Sequence, residues 1–238
     1  MRKTFFILAG SLCLLLSCSK SEEGGTVVFR LKENPIAEVT TKGSVADYAT
    51  VPSQGDFSLV VKNSLGSTIY SGLLSGWDSS TPLPNGNYSA SATFSTAAEE
   101  GPSKPYFEGS ASFAVTGGNT TAVSIPVSLG NCIVRIELTD AFRNYYPTSS
   151  FTISTPDNPA GFTYTGKAIF VAYQWTITGT LVGQNGAAYT LPERTWKGES
   201  ATCYSVKYDI SNVGGATITI SFDDSVETVT LEEIELNS

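Results

Sequence analysis

The strongest constraint on this chain is a period of two. From residue 26 onward, apolar and polar residues alternate in short runs separated by turn formers, and no long stretch holds a helical period. Such alternation sends successive side chains to opposite faces of a strand. In the first run, 26–32, Val27, Phe29 and Leu31 share one face. Runs at 57–62 and 67–71 flank Asn63-Ser64-Leu65-Gly66, a hairpin turn. Asn85-Gly86 supplies a positive φ ahead of 89–94, and Gly117-Gly118-Asn119 joins 109–115 to 120–129. After Gly130-Asn131, strands are expected at 132–139, 151–154, 167–172, 175–181, 187–191, 202–210, 216–222 and 226–236. Gln184-Asn185-Gly186 makes one further turn, and a single helical turn is expected at 140–145 with Asp140 as its cap. About seven short strands per half describe an all-β chain of two sandwiches, one over 26–129 and one over 130–238.

The amino terminus constrains location. Arg2-Lys3, an apolar run from Phe5 to Leu16 and a small residue at Ser17 have the order of a cleaved export signal, 1–17. The run is too short to span a bilayer comfortably. Leu15-Leu16-Ser17-Cys18 resembles the bacterial lipobox, in which the cysteine becomes the first mature residue and carries acyl chains. Cys18 is therefore the expected membrane anchor, followed by a polar tether over 18–25. Glu22-Glu23 resembles the signal that sends Bacteroidetes lipoproteins to the outer face of the outer membrane. The expected location is thus the outer membrane, lipid-anchored, at the cell surface.

Composition removes several chemistries. The chain has 14 basic and 22 acidic residues, a formal net charge of −8, and loss of 1–17 takes Arg2 and Lys3 with it. Nucleic-acid binding needs clustered Lys and Arg and is not expected. Histidine is absent, which argues against Ser-His or Cys-His nucleophiles and most zinc sites. No cofactor and no metal are expected. The acidic groups Asp223-Asp224 with Glu227, and Glu232-Glu233 with Glu235, lack calcium-loop spacing and read as solvated faces. A carboxylate enzyme would need two such groups facing one cleft, and the reading is non-enzymatic. Cys132 shares its strand face with Val134, Ile136 and Leu138, whereas Cys203 shares its face with Ser205 and Lys207. That mismatch argues for two separate small residues over a disulfide.

Two kinds of binding surface remain. Trp77 and Trp196 are expected in polar loops beside Gly76 and Gly198, where exposed rings could stack on a glycan; Trp175 and Tyr145-Tyr146 are further aromatic candidates, with Trp175 expected in the core. The terminal strands could instead be exchanged between chains. The first, Thr26-Val27-Val28-Phe29-Arg30-Leu31, and the last, 226–236, are the candidates.

Leu83-Pro84-Asn85-Gly86-Asn87-Tyr88, Pro105-Tyr106-Phe107-Glu108-Gly109-Ser110 and Cys203-Tyr204-Ser205-Val206-Lys207-Tyr208-Asp209 with Thr217-Ile218-Thr219-Ile220 resemble a Bacteroidetes surface-lipoprotein family of undefined function. That family is similar in architecture to the fimbrillins, or type V pilins, and is linked to cell adhesion. The resemblance spans about residues 25–238. It implies two tandem transthyretin-like or immunoglobulin-like β-sandwiches on a lipid tether, acting as an adhesin or a pilus subunit, with other pilin subunits or a host or glycan surface as partners. In fimbrillins an arginine-specific protease removes the first strand and a neighbour's strand fills the groove. Arg30 is the nearest match, but it lies inside the Val28-Phe29-Arg30-Leu31 strand pattern and not in a loop. A non-polymerising anchor, tip or stand-alone adhesin therefore stays open, as does a glycan-binding lipoprotein of a polysaccharide-uptake system.

Overall fold

The computed structural model describes residues 24–32, 44–210, 216–222 and 225–230. The expected signal segment 1–17, Cys18, most of the tether, Asp223-Asp224 and Glu232-Glu233-Glu235 lie outside the described residues. The first half supplies β1 (Thr26–Leu31), β2 (Ser58–Asn63), β3 (Thr68–Leu73), β4 (Gly86–Phe94), β5 (Gly101–Pro102), β6 (Phe107–Val115), β7 (Thr120–Ile125) and β8 (Val127–Leu129). The second supplies β9 (Cys132–Leu138), the short helix α1 (Asp140–Tyr145), β10 (Thr148–Ser154), β11 (Phe162–Thr163), β12 (Ile169–Val171), β13 (Gln174–Val182), β14 (Ala188–Lys197), β15 (Cys203–Ile210), β16 (Ala216–Phe222) and β17 (Ser225–Thr230).

These strands form four sheets: β3-β2-β4-β6-β8, the pair β1-β7, β11-β10-β13-β14, and β17-β16-β15-β9-β12-β5. The chain is all-β, built as packed sheets, as the alternation requires. Its turns use the expected glycines in the left-handed region, with φ of 80° at Gly66, 74° at Gly118 and 82° at Gly186. The helical turn forms where expected, but its N-cap is Thr139, whose hydroxyl accepts from the Phe142 amide, and Asp140 is its first helical residue.

One expected strand divides in two. The run 120–129 breaks at Pro126, which has no amide to give a ladder. Upstream of it β7 pairs with β1, and downstream β8 pairs with β6, so the proline stands where the chain changes sheets. The crossing is tight. A Cβ on Gly109 would lie 1.9 Å from the Pro126 carbonyl oxygen, so only glycine fits.

Two apolar cores follow, and one sheet serves both. Cys132, Val134 and Ile136 of β9 face the second core with Phe142, Trp175 and Tyr208. Ile133, between them, faces the first core with Phe57, Leu59 and Phe107. Phe170 of β12 and Cys203 of β15 likewise point into the first core, while their neighbours Val171 and Tyr204 point into the second. Cys132 and Cys203 are both buried thiols on opposite faces of this wall, and no disulfide joins them. The face of Cys203 is therefore apolar at its start and turns to solvent only at Lys207.

A second tie joins the halves. β5, from the first half, completes the second half's six-stranded sheet by pairing with β12. The Glu100 carboxylate next to it accepts from the Ala172 amide at 2.7 Å and from the Thr155 hydroxyl.

Burial makes the fold sensitive to alkali. Burial pushes the Cys132 thiol up from 9.0 to about 12. The Tyr48 phenol goes from 10.0 to about 12 through burial and its contact with Cys203, and Tyr106 goes to about 12 through burial and its bond to Glu108. Between those values the unfolded chain loses protons that the folded chain keeps, so stability falls as pH rises through that window. Thermal melts followed by circular dichroism should show Tm dropping from about pH 9 upward, with a shallower drop in Cys132→Ala. A flat profile to pH 11 would contradict this account of the wall.

Candidate functional site: the first strand and its aromatic clasp

The segment picked out for strand exchange lies in an unusual position. β1 runs parallel to β7, in register from Thr26 opposite Thr120 to Leu31 opposite Ile125, and among the described residues β7 is its only strand neighbour. The Thr26 amide donates to Asn119 O at 2.9 Å and the Lys32 amide to Ile125 O at 3.0 Å. By the alternation of a parallel ladder, the main chain of residues 26, 28 and 30 faces β7, and that of 27, 29 and 31 faces away.

Among the described residues, side chains bond that far edge. The Trp77 indole Nε1–H donates to Val27 O at 2.8 Å, and the Leu31 amide donates to Gln54 Oε1 at 3.1 Å. Gly25 and Leu83 exchange two main-chain bonds of 2.9 and 2.8 Å just before the strand. The last two residues of the expected tether are thereby fixed: a Cβ on Gly25 would fall 2.5 Å from Thr116 O.

The faces of β1 divide as the sequence requires. Val27, Phe29 and Leu31 are buried, Thr26 and Val28 are half-buried, and Arg30 is exposed. Phe29 meets Trp77 edge-on at 5.0 Å between centroids and Phe113 at 5.5 Å, and Phe113 stacks on Tyr88 at 5.6 Å. Tyr70 closes the other side of Trp77 at 5.2 Å. On the outer face, a depression of about 360 Å³ runs past Val28, Arg30, Gln54, Ala122 and Ser124. Arg30 stands opposite Ser124 in mid-ladder, so no loop presents its peptide bond.

The two tryptophans named for a glycan platform are placed differently from the sequence expectation. Trp77 is in a loop, as expected, but it is half-buried and its N–H is used. Trp196 is not in a loop: it belongs to β14, opposite Trp175, and the two rings stack at 4.5 Å. Alternation in β14 was hidden by Pro192 and by a register shift between Ile177 and Gly179. Tyr146 is core, packed on Phe142 and Tyr189, while Tyr145 remains exposed. Sequence reasoning missed Gln54 and Leu83 altogether, because nothing in a strand's own pattern names what covers its far edge.

The site holds hydrogen bonds and apolar contacts. Among the described residues, no group of three or more Cys, Asp or Glu side chains is placed to hold a metal ion. Asp78, beside Trp77, is held below the usual carboxylate range by the Ser80 hydroxyl and amide and the Thr81 hydroxyl, which fixes the loop that carries the indole.

A family model described as Domain of unknown function (DUF4493) matches residues 23–238. The chain belongs to this family. The DUF4493 match begins just before β1 and runs to the last residue, so the strand and its clasp both lie within it. No curated protein matches the sequence. Among solved structures, this DUF4493 chain is similar to a fimbrial assembly protein from Parabacteroides distasonis, at TM-score 0.47 and 10% identity over 87% of this chain and 100% of that one. It is similar to a protein from Bacteroides eggerthii provisionally named for cell adhesion, at TM-score 0.46 and 9% identity over 86% and 97%. It is also similar to a protein from Bacteroides thetaiotaomicron provisionally named for polysaccharide binding, at TM-score 0.45 and 11% identity over 88% and 99%.

The clasp makes a stability prediction. Trp77→Phe keeps an aromatic ring against Phe29 and removes only the bond to Val27, so urea unfolding should show a loss of about 1 kcal/mol. Trp196→Ala should also lower the urea midpoint, because its ring is packed on Trp175. Unchanged midpoints in both would mean that these rings are free surface platforms.

Proposed function

We propose that this chain is a non-enzymatic cell-surface lipoprotein, anchored to the outer membrane through Cys18, that acts in cell adhesion or as a fimbria subunit or accessory. Its working parts are a sandwich over 26–129 and another over 130–238, and β1 is the strand by which copies join. The observation that carries this reading is the one-sided attachment of β1 among the described residues: one parallel ladder to β7, with side chains bonded along its far edge.

Energetics favour exchange over simple release. Val27, Phe29 and Leu31 each contribute roughly 1.5 to 3 kcal/mol by leaving water, so an empty groove is strongly disfavoured. A chemically identical strand from a second copy recovers the same burial and the same ladder. Replacement is then nearly neutral in contacts, and a terminal strand leaves with little disruption to the rest. Because Arg30 sits within the ladder, exchange here does not depend on cleavage at that residue.

A variant lacking everything before Leu31, mixed with the full chain, tests the mechanism. Strand exchange predicts mixed oligomers by light scattering, and a synthetic peptide of residues 24–32 should compete with them and restore a cooperative melt to the trimmed variant. A mixture that stays monomeric, with a trimmed variant indifferent to the peptide, would remove the mechanism.

A further inference from the structure

The neutral edge strand β3 supplies a second contact surface. From Asn63 to Trp77 the sequence contains no charged residue, although 22 acidic and 14 basic residues are spread over the chain. β3 lies in this stretch at the end of its five-stranded sheet, and among the described residues β2 is its only strand neighbour. Of the five large apolar side chains exposed among the described residues, three are here: Leu65 at 88%, Ile69 at 44% and Leu73 at 52%.

The free edge can be read from the ladder. The Leu74 amide donates to Phe57 O at 2.7 Å, and Gly72 stands opposite Leu59, so alternate residues turn the main chain of Ser71 and Leu73 outward. Tyr70 uses its hydroxyl to cover Leu73 O at 2.7 Å, and among the described residues nothing bonds the Ser71 amide and carbonyl or the Leu73 amide. A register shift opposite Val61 and Lys62 limits the regular part of the edge to residues 70–73. Edge strands are normally guarded by charge or proline. β14 follows that rule, with exposed Pro192, Glu193 and Lys197, and β3 does not.

We infer that β3 pairs antiparallel with β3 of a second copy, about a two-fold axis through Ser71. That register brings the two Ser71 residues opposite each other and places Leu73 of each copy beside Ile69 of the other, at the bulge just beyond the regular edge, so this apolar pair is a side-chain contact on both sides of the axis. A second copy is the occupant because the chain is strongly acidic overall: two such molecules meet at least electrostatic cost through a face that carries no charge. The contact is separate from β1, so it can hold or fail independently of strand exchange.

Cross-linking in the full chain, in its own membrane, tests the pairing. Ser71→Cys, treated with a short bis-maleimide, should give a homodimer on a denaturing gel about tenfold above Ser112→Cys, an exposed serine of β6 elsewhere in the same sheet. The unsubstituted chain sets the background, since Cys132 and Cys203 are buried thiols, and in the anchored protein Cys13 leaves with the signal and the Cys18 sulfur is acylated. Adding Leu73→Lys to Ser71→Cys should return the dimer to background while leaving the melt unchanged. Equal dimer yields from Ser71→Cys and Ser112→Cys, or an adduct of another mass without the homodimer, would overturn the inference.

Discussion

The parallel ladder between β1 and β7 is the contact on which the first half depends. It brings residues from opposite ends of that half together, with Thr26 opposite Thr120, and so closes the core over Phe57, Leu59 and Phe107. Without Val27, Phe29 and Leu31 the five-stranded sheet would show its apolar face to water. Among the described residues the ladder is nevertheless one-sided, and its far edge rests on the Trp77 indole, the Gln54 amide and the Gly25–Leu83 bridge. A contact of that kind, which closes a core, combines a strong demand for occupancy with a weak claim on any particular occupant.

The second half is tied in more rigidly. β9, β12 and β15 carry apolar side chains on both faces where the two cores meet, so the wall cannot shift without opening one core or the other. β5 and the Glu100 carboxylate clamp the same wall from the first half. Force applied at the amino terminus therefore passes through β1 to a body whose halves share a sheet.

Much of this was legible in the sequence, for local reasons. Strand periodicity, the turn glycines at 66, 118 and 186, and the buried face of Val27, Phe29 and Leu31 all depend on residues next to one another in the chain. Pairing depends on distant residues, and there the pattern was silent: nothing in 26–31 points to 120–125 as a parallel partner. Pro126 was visible, but its effect, a change of sheet, follows from what lies on either side in space. Cys203 and Trp196 were misplaced for a related reason. Cys203 sits on a face that is apolar only where a second core abuts it, and Trp196 follows a register shift that resets the alternation. Of the candidate site, the strand itself could be read in advance, and its clasp of Trp77, Gln54 and Leu83 could not.

The central claim is that β1 leaves its groove without unfolding the rest of the first half. Native-state hydrogen exchange measures this directly, by comparing the amides of Thr26, Val28 and Arg30 with those of β4, which has β2 on one side and β6 on the other. The account predicts that the β1 amides exchange through a local opening of smaller free energy, while β4 exchanges only on global unfolding. Exchange of both strands in step, at the free energy of global unfolding, would contradict it.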